Sequence, residues 1–312
     1  KSMHSLFAFP RRRVPDAPRC GGDAQTPVTV FVFPGLLSSI SGSPFSTKLL
    51  TYLRLAGVPF RIGQADMSKA PKGKFPFIEH GGRVVADTQL IIRYLEATFG
   101  VGRMSKEAVK QLAARAKGQK STLAPLVPCG ELSAGDRAHS DLVRVTCDEV
   151  LYWGLVSSRW LGTEGVAARE ANWHATVAAY FGAIPWLVRG AVCAMIRKCV
   201  WTDLNGQGLA RHSPADQAYL AMRLLDALEQ SLRGRFVLGN GHMCEADCSL
   251  FGLLNCMCED THWPSPLTRH IREKCPRLWE YNGRLREEVF GDKAPGGGFP
   301  ADDLVHVAPV AA

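Results

Sequence analysis

The period of the apolar positions changes repeatedly between residues 28 and 100, and each change marks an element. Val28-Thr-Val-Phe-Val-Phe33 is β-branched and aromatic throughout, which predicts a buried strand. A loop rich in Gly and Ser, Pro34 to Gly42, leads to Ser43-Pro44, which opens a helical pattern through Ala56. Serine offers an N-cap oxygen, proline fits the first helical position, and Gly57 fits the C-terminal end. Leu49, Leu50, Leu53 and Ala56 or Gly57 then share one face. Phe60 to Gln64 reads as a second strand; because a helix lies between the two, they are expected to be parallel in a right-handed crossover. After the basic loop Lys69 to Lys74, Phe75-Pro-Phe-Ile-Glu79 and Arg83-Val-Val-Ala86 flank a Gly81-Gly82 turn, the pattern of a hairpin. Asp87-Thr88 starts a helix carrying Leu90, Ile91, Tyr94 and Leu95, which ends near Gly100. The order β-α-β followed by β-β-α is the thioredoxin topology, an α/β domain with a mixed sheet.

No strand pattern follows residue 100. Residues 101–131 read as a linker or insertion. A capping box at Ser133 to Asp136 opens a long helical pattern to about Leu161, carrying Leu142, Val145, Val150, Trp153 and Trp160. Further helical stretches cover about 168–181 and 185–201. Ser213-Pro-Ala-Asp216 is a cap, an N1 proline and an acid at N3; its helix reaches Leu232. A Gly239-Asn-Gly241 turn precedes a helix from Ala246 to Cys258, and a last one spans Pro276 to Val289. The chain is thus expected to divide into a tail at 1–26, an α/β domain at 27–100, the linker at 101–131, an all-α domain at 132–290, and a Gly- and Pro-rich tail at 291–312 without a core.

Composition narrows the function classes. Hydrophobic residues are 46% and charged residues 21% of the 312, a globular profile. The most apolar stretch, Phe181 to Trp201, contains Arg189, Arg197, Lys198 and Pro185, so no transmembrane segment is expected; it reads as a helix buried in protein or lying against a partner. The net charge of +8 is scattered, and no nucleic-acid-binding motif organises it. The ten cysteines form no C-x-x-C pair, and neither Cys244/Cys248 nor Cys256/Cys258 has the spacing of a zinc module, so no metal is expected and reduced thiols in an intracellular compartment are. The N-terminal stretch to Thr26 holds five Lys/Arg, two Asp and no Glu, and the chain opens on Lys1 rather than Met. That is the kind of N-terminus an organelle-targeted precursor leaves, in a mitochondrion or plastid; a solvated tail is the plainer reading.

Ser43-Pro-Phe-Ser-Thr-Lys-Leu-Leu-Thr-Tyr-Leu-Arg54, Lys72-Gly-Lys-Phe-Pro-Phe-Ile-Glu79 and Val84-Val-Ala-Asp-Thr-Gln-Leu-Ile-Ile-Arg-Tyr-Leu95 resemble the failed axon connections and metaxin-related branch of the glutathione transferases. In the helical half Leu151-Tyr-Trp153, Gly206-Gln-Gly208, Arg211-His-Ser213 and Phe236-Val-Leu-Gly239 continue the resemblance, which covers 28–100 and 132–290. It implies a glutathione-transferase helical domain, glutathione as co-substrate, a small electrophile and a possible homodimer.

The same resemblance assigns roles. Pro76 matches the superfamily's cis-proline, which leaves the backbone of Phe75 open to a peptide-like ligand; its alternative role is to shape the fold. Asp87 and Thr88 match the pair that holds the γ-glutamyl end of glutathione, and helix-start amides attract a carboxylate; Asp87 is equally a good cap. Lys72 or Lys74 faces the glycyl carboxylate or simply solvent. Ser43 matches the position of the nucleophilic Cys in related proteins, where one hydrogen bond and the helix dipole favour thiolate; it is also an N-cap. Ser38, Ser39 and Ser41 are further donors. Trp153, Trp160, Trp186 and Trp201 line a co-substrate pocket or belong to the core. Cys244 stands where the family places a capping Ser or Thr three residues before a buried Asp, here Asp247, a loss worth about 1 kcal/mol. Two functions compete: a transferase using Ser43, Phe75, Asp87 and Thr88, and a non-catalytic accessory or scaffold subunit of an organellar membrane complex. They differ in whether a groove between Ser43, Pro76 and Asp87 stays open.

Overall fold

The computed structural model describes residues 21–33, 35, 39–64, 66, 69–101, 125–162, 166–182, 184–259, 265–291 and 304–305. Strand β1 (Val28–Phe31) sits inside a mixed sheet with β2 (Phe60–Ile62), β3 (Phe77–His80), β4 (Arg83–Ala86) and β5 (Leu304–Val305), in the order β4-β3-β1-β2-β5. β1 pairs parallel with β2 and antiparallel with β3, as a βαβ crossover followed by a hairpin requires. The hairpin turn uses Gly81 and Gly82 at φ 55° and 73°, a backbone that side chains disfavour. Helix α1 (Pro44–Leu55) is capped by Ser43, and Gly57 at φ 66° follows its end; α2 (Thr88–Phe99) is capped by Asp87 and ends at a left-handed Gly100.

The helical half contains α3 (Ala134–Val145), a π-helical turn (Thr146–Leu151), α4 (Tyr152–Trp160), α5 (Val166–Phe181), α6 (Trp186–Gln207), α7 (Pro214–Ser231), α8 (Glu245–Cys258), α9 (Pro266–Lys274) and α10 (Pro276–Phe290). α8 is buried along almost its whole length and packs on α1, so the two halves share one core. At Gly252 the contact is closest: a Cβ there would lie 2.5 Å from the Pro44 carbonyl oxygen and 3.0 Å from the Lys48 backbone nitrogen.

Several expectations are corrected. The long helix after Ser133 is interrupted by the π-helical turn, which adds a residue and rotates the face. Its buried face is Ser140, Val143, Cys147, Leu151 and Leu155, while Leu142 (68% exposed), Val145 and Val150 point outward. Trp186 (77% exposed) and Trp201 (48%) are surface residues, neither core nor pocket lining. Helix α9 carries no apolar stripe beyond Leu267 and Ile271 and was not expected. Residues 21–26 are not a loose tail: His80 Nε2 lies 3.1 Å and 3.0 Å from the carbonyl oxygens of Asp23 and Thr26, and Tyr94 donates to the Gly21 carbonyl. In the C-terminal tail, expected to stay outside the fold, Leu304–Val305 adds an edge strand to β2. Residues 1–20 and 102–124 lie outside the described residues, and 125–131 joins the helical half, with Val127 N–H donating to the Met243 carbonyl at 2.8 Å. Among the described residues no single helix is long and apolar enough to cross a membrane; Arg169–Phe181 and Trp186–Gln207 reach that length only as a pair bent by 116°.

Candidate functional site

The register places the sequence-derived residues at one end of the sheet. Phe31, the last residue of β1, pairs with Phe77, the first of β3, and Phe77 in turn pairs with Ala86, the last of β4. The chain therefore leaves β1 toward Ser43, enters β3 from Phe75-Pro76 and leaves β4 into Asp87-Thr88 at the same end. Both α1 and α2 start there, so two helix N-termini, each with unsatisfied N–H groups and positive partial charge, converge on this end.

Phe75-Pro76 is a cis peptide, in agreement with the resemblance. The Phe75 ring is half-buried, stacked on Phe77 with centroids 5.8 Å apart, and set edgewise to Phe33 at 6.4 Å. Among the described residues neither its backbone N–H nor its carbonyl has a hydrogen-bond partner. Lys72 and Lys74 are exposed just before it.

Asp87 is exposed and caps α2 by accepting from Gln89 N–H at 3.0 Å. Its φ of 82° makes it the sole non-glycine residue with positive φ among those described, a conformation costing about 1–3 kcal/mol that functional sites retain. One carboxylate oxygen caps the helix, and the other makes no hydrogen bond among the described residues. Thr88 is buried in the first turn of α2.

Ser43 is half-buried and its Oγ accepts from Ser46 N–H at 3.4 Å, a long cap bond. A hydroxyl that accepts still has its proton to donate. The neighbouring serines are committed elsewhere. Ser41 Oγ donates to the Phe33 carbonyl at 2.6 Å and accepts from Ser43 N–H at 3.1 Å, and Ser46 Oγ accepts from Phe33 N–H at 3.1 Å. Ser39 is buried, and Ser38 lies outside the described residues.

The helical half supplies parts of this site that sequence reasoning missed. Arg159, buried on α4, donates to the Gly42 carbonyl at 2.8 Å and to the Cys256 carbonyl at 2.8 Å. Tyr180 on α5 donates to the same Gly42 carbonyl at 3.3 Å, and its ring lies 5.4 Å from Phe33. Ile40 N–H donates to Asn255 Oδ1 at 3.0 Å. The loop before Ser43 is thus clamped onto α4, α5 and α8. Trp160, Trp173 and Phe181 extend the aromatic cluster from Tyr180, with Trp160 5.7 Å from it. Of the four tryptophans considered, Trp160 stands in this cluster and Trp153 packs on Tyr152 at 5.3 Å.

Lys48 is the second missed residue. It is 1% exposed, with Nζ 2.8 Å from Asp148 Oδ2 and 3.0 Å from Glu245 Oε1, and Gln89 donates to the same Glu245 oxygen. Burial alone would lower its pKa, but two carboxylates around one ammonium reverse this and hold it above the usual value. Its signal was a lone lysine among Leu49, Leu50, Tyr52 and Leu53 on a helix that is buried without a break from Ser46 to Leu53.

The expected loss of the cap at Cys244 is corrected: the capping box is kept, with the Cys244 sulfur facing the Asp247 N–H and the Asp247 carboxylate bonding back to the Cys244 N–H. Asp247 is fully buried and accepts from Cys244 N–H at 2.8 Å, Val237 N–H at 2.9 Å and Tyr281 Oη at 2.8 Å. Burial pushes its pKa up while these donors pull it down.

A thioredoxin-type domain with a cis-proline before β3, joined to a helical domain that packs on α1, is the architecture of the glutathione transferases. The family model for the glutathione S-transferase N-terminal domain matches residues 44–127, and that for the C-terminal domain matches 221–285. One on each half and in the family's order, they support placement of the chain in the glutathione-transferase-like superfamily. Among curated proteins, the isoprene-epoxide glutathione S-transferase of Rhodococcus sp. (strain AD45) is 26% identical over 262 residues, 79% of this chain and 92% of that one. Among solved structures, a beta-etherase from Sphingobium sp. strain SYK-6 is 17% identical with a TM-score of 0.47, over 84% of this chain and 95% of that chain. Poplar glutathione transferase F1 is 15% identical with a TM-score of 0.47, over 86% and 96%.

Proposed function

We propose that the chain binds glutathione and conjugates it to a small electrophile. The observation that carries this reading is the convergence of two helix N-termini, at Ser43 and Asp87, on the sheet end where Phe75 presents free backbone groups. A tripeptide with an ammonium, two carboxylates and a thiol matches that set. Phe75 pairs with the ligand backbone, Asp87 takes the ammonium, the α2 amides with Thr88 take a carboxylate, and Lys74 takes the other.

Ser43 donates to the sulfur and favours thiolate, the thiol proton passing to solvent. The thiolate then attacks an electrophilic carbon beside the aromatic cluster of Phe33 and Tyr180; with an epoxide the C–S bond forms as a C–O bond breaks, and the alkoxide takes a proton. The Rhodococcus relative makes an epoxide the first electrophile to try. The assay is conjugation of glutathione to an epoxide by the parent and Ser43→Ala. Loss of a hydrogen bond to a charged sulfur is expected to cost about 10- to 100-fold in kcat with binding retained; equal rates would remove Ser43 from the mechanism.

The second reading is a non-catalytic subunit in the failed axon connections and metaxin-related branch, serving an organellar membrane complex. The exposed Trp186, Leu187 and Val188 at the start of α6 favour it, because apolar side chains grouped on a surface mark contact sites. Co-purification of the parent with a partner that Trp186→Ser releases would support it.

A further inference from the structure

A second group of reactive side chains converges in the helical half, sharing no residue with the sheet-end site. His270 on α9 has Nε2 2.7 Å from Asp226 Oδ1 on α7. Cys275, at the junction of α9 and α10, has Sγ 3.8 Å from the same oxygen. The three ligand atoms all lie within 4.8 Å of one another. They are 44 and 49 residues from Asp226 in sequence, so no local spacing reveals them.

The backbone explains why the thiol points there. Cys275 is at once the C-cap of α9 and the N-cap of α10, with Pro276 behind it, and its N–H donates to the Ile271 carbonyl at 3.0 Å. An N-cap side chain ordinarily turns onto the first helical amides, but Cys275 makes no such bond. Glu229 of α7 takes that task, accepting from Arg277 N–H at 3.1 Å and Leu278 N–H at 3.0 Å. The sulfur is therefore free to face Asp226 and His270, and its long contact to Asp226 is a weak hydrogen bond that exchanges readily for a stronger ligand.

We propose that Asp226, His270 and Cys275 form a divalent-metal site suited to zinc. Imidazole nitrogen, thiolate sulfur and carboxylate oxygen are zinc's donor set, and tetrahedral ligands about 2.0–2.3 Å from the ion stand roughly 3.3–3.7 Å apart. The 2.7 Å and 3.8 Å separations here bracket that range, so binding opens the His270–Asp226 contact by roughly half an ångström. The three donors come from two helices and a proline-fixed junction, which hold them without a loop. Asp226 is largely exposed, which leaves the fourth position to water. On binding, the Cys275 thiol releases its proton to solvent as the S–metal bond forms. Because the thiol must lose its proton to bind, affinity rises with pH.

The test is a cobalt titration of the chelator-treated full chain at neutral and mildly alkaline pH. The expected result is saturable binding in the micromolar range with a thiolate-to-cobalt charge-transfer band, tighter at the higher pH and displaced by zinc. Cys275→Ser removes the band, His270→Gln weakens binding by about tenfold or more, and Cys199→Ser, at an exposed thiol of α6, changes nothing. Absence of the band in the folded parent at millimolar cobalt, or its survival in Cys275→Ser, would overturn the proposal. Where Cys275→Ser fails to fold by circular dichroism, His270→Gln decides alone, and unchanged affinity in it overturns the site.

Discussion

The Arg159 guanidinium and the Gly42 carbonyl are 2.8 Å apart, and through this bond a helix of the C-terminal half holds the residue next to Ser43. The same guanidinium holds the Cys256 carbonyl, so one buried side chain ties the loop to both α4 and α8. Replacing it with Met leaves two buried carbonyls short of donors, each costing about 1–3 kcal/mol. Arg159→Met is therefore expected to lower unfolding free energy by roughly 2–5 kcal/mol in urea and to weaken glutathione binding, because the loop carrying Ser43 loses its support. Unchanged urea midpoints would show that the fold does not depend on the Arg159 clamp.

Lys48 makes a prediction with a sign. Removing it strands Asp148 and Glu245, both largely buried, so Lys48→Met is expected to cost about 3–5 kcal/mol, and Lys48→Met with Glu245→Gln to recover part of that. Because its folded-state pKa is raised, its contribution is complete below the unfolded value of about 10.4 and is lost only as pH rises through the folded value. Melting temperature followed from neutral to alkaline pH should fall above that point, and the fall should be shallower in Lys48→Met. A fall of equal steepness in both would remove the triad from the account.

Gly252 is where α8 meets the start of α1. A methyl group there meets backbone atoms of Pro44 and Lys48, which cannot rotate away. Gly252→Ala is expected to cost about 1–3 kcal/mol, although alanine is the better helix former, with the loss read by calorimetry. Stabilisation instead would mean that the two halves separate at low cost.

These three residues show where the sequence was legible and where it was not. Ser43-Pro44, Ser213-Pro214 and the Gly81-Gly82 turn were readable because caps and turns are local chemistry. The parallel pairing of β1 and β2 across α1 and the β3-β4 hairpin followed from connection rules, whereas the edge strand β5 did not. Helix α9 escaped although Ser265-Pro266 repeats the same cap signal, since only Leu267 and Ile271 mark its buried face. The face of α3 and α4 was misread because periodicity assumes an uninterrupted α-helix, and the π-helical turn shifts the phase. Arg159, Lys48 and Gly252 were invisible for another reason: each matters through a partner on the other half of the chain, about a hundred residues or more away for Arg159 and Lys48. At the sheet end, Phe75, Asp87, Thr88 and Ser43 came from local motifs, but the clamp that holds the loop before Ser43 did not.

The measurement that bears most directly on the whole account is calorimetric titration of glutathione into the parent and Asp87→Ala. Asp87 holds a strained backbone and one carboxylate oxygen beyond its cap bond at the converged helix starts. The account predicts micromolar-to-millimolar binding by the parent and at least a tenfold loss, about 1.4 kcal/mol, in a variant that circular dichroism shows to be folded. No heat from a folded parent, or equal affinity in Asp87→Ala, would contradict it.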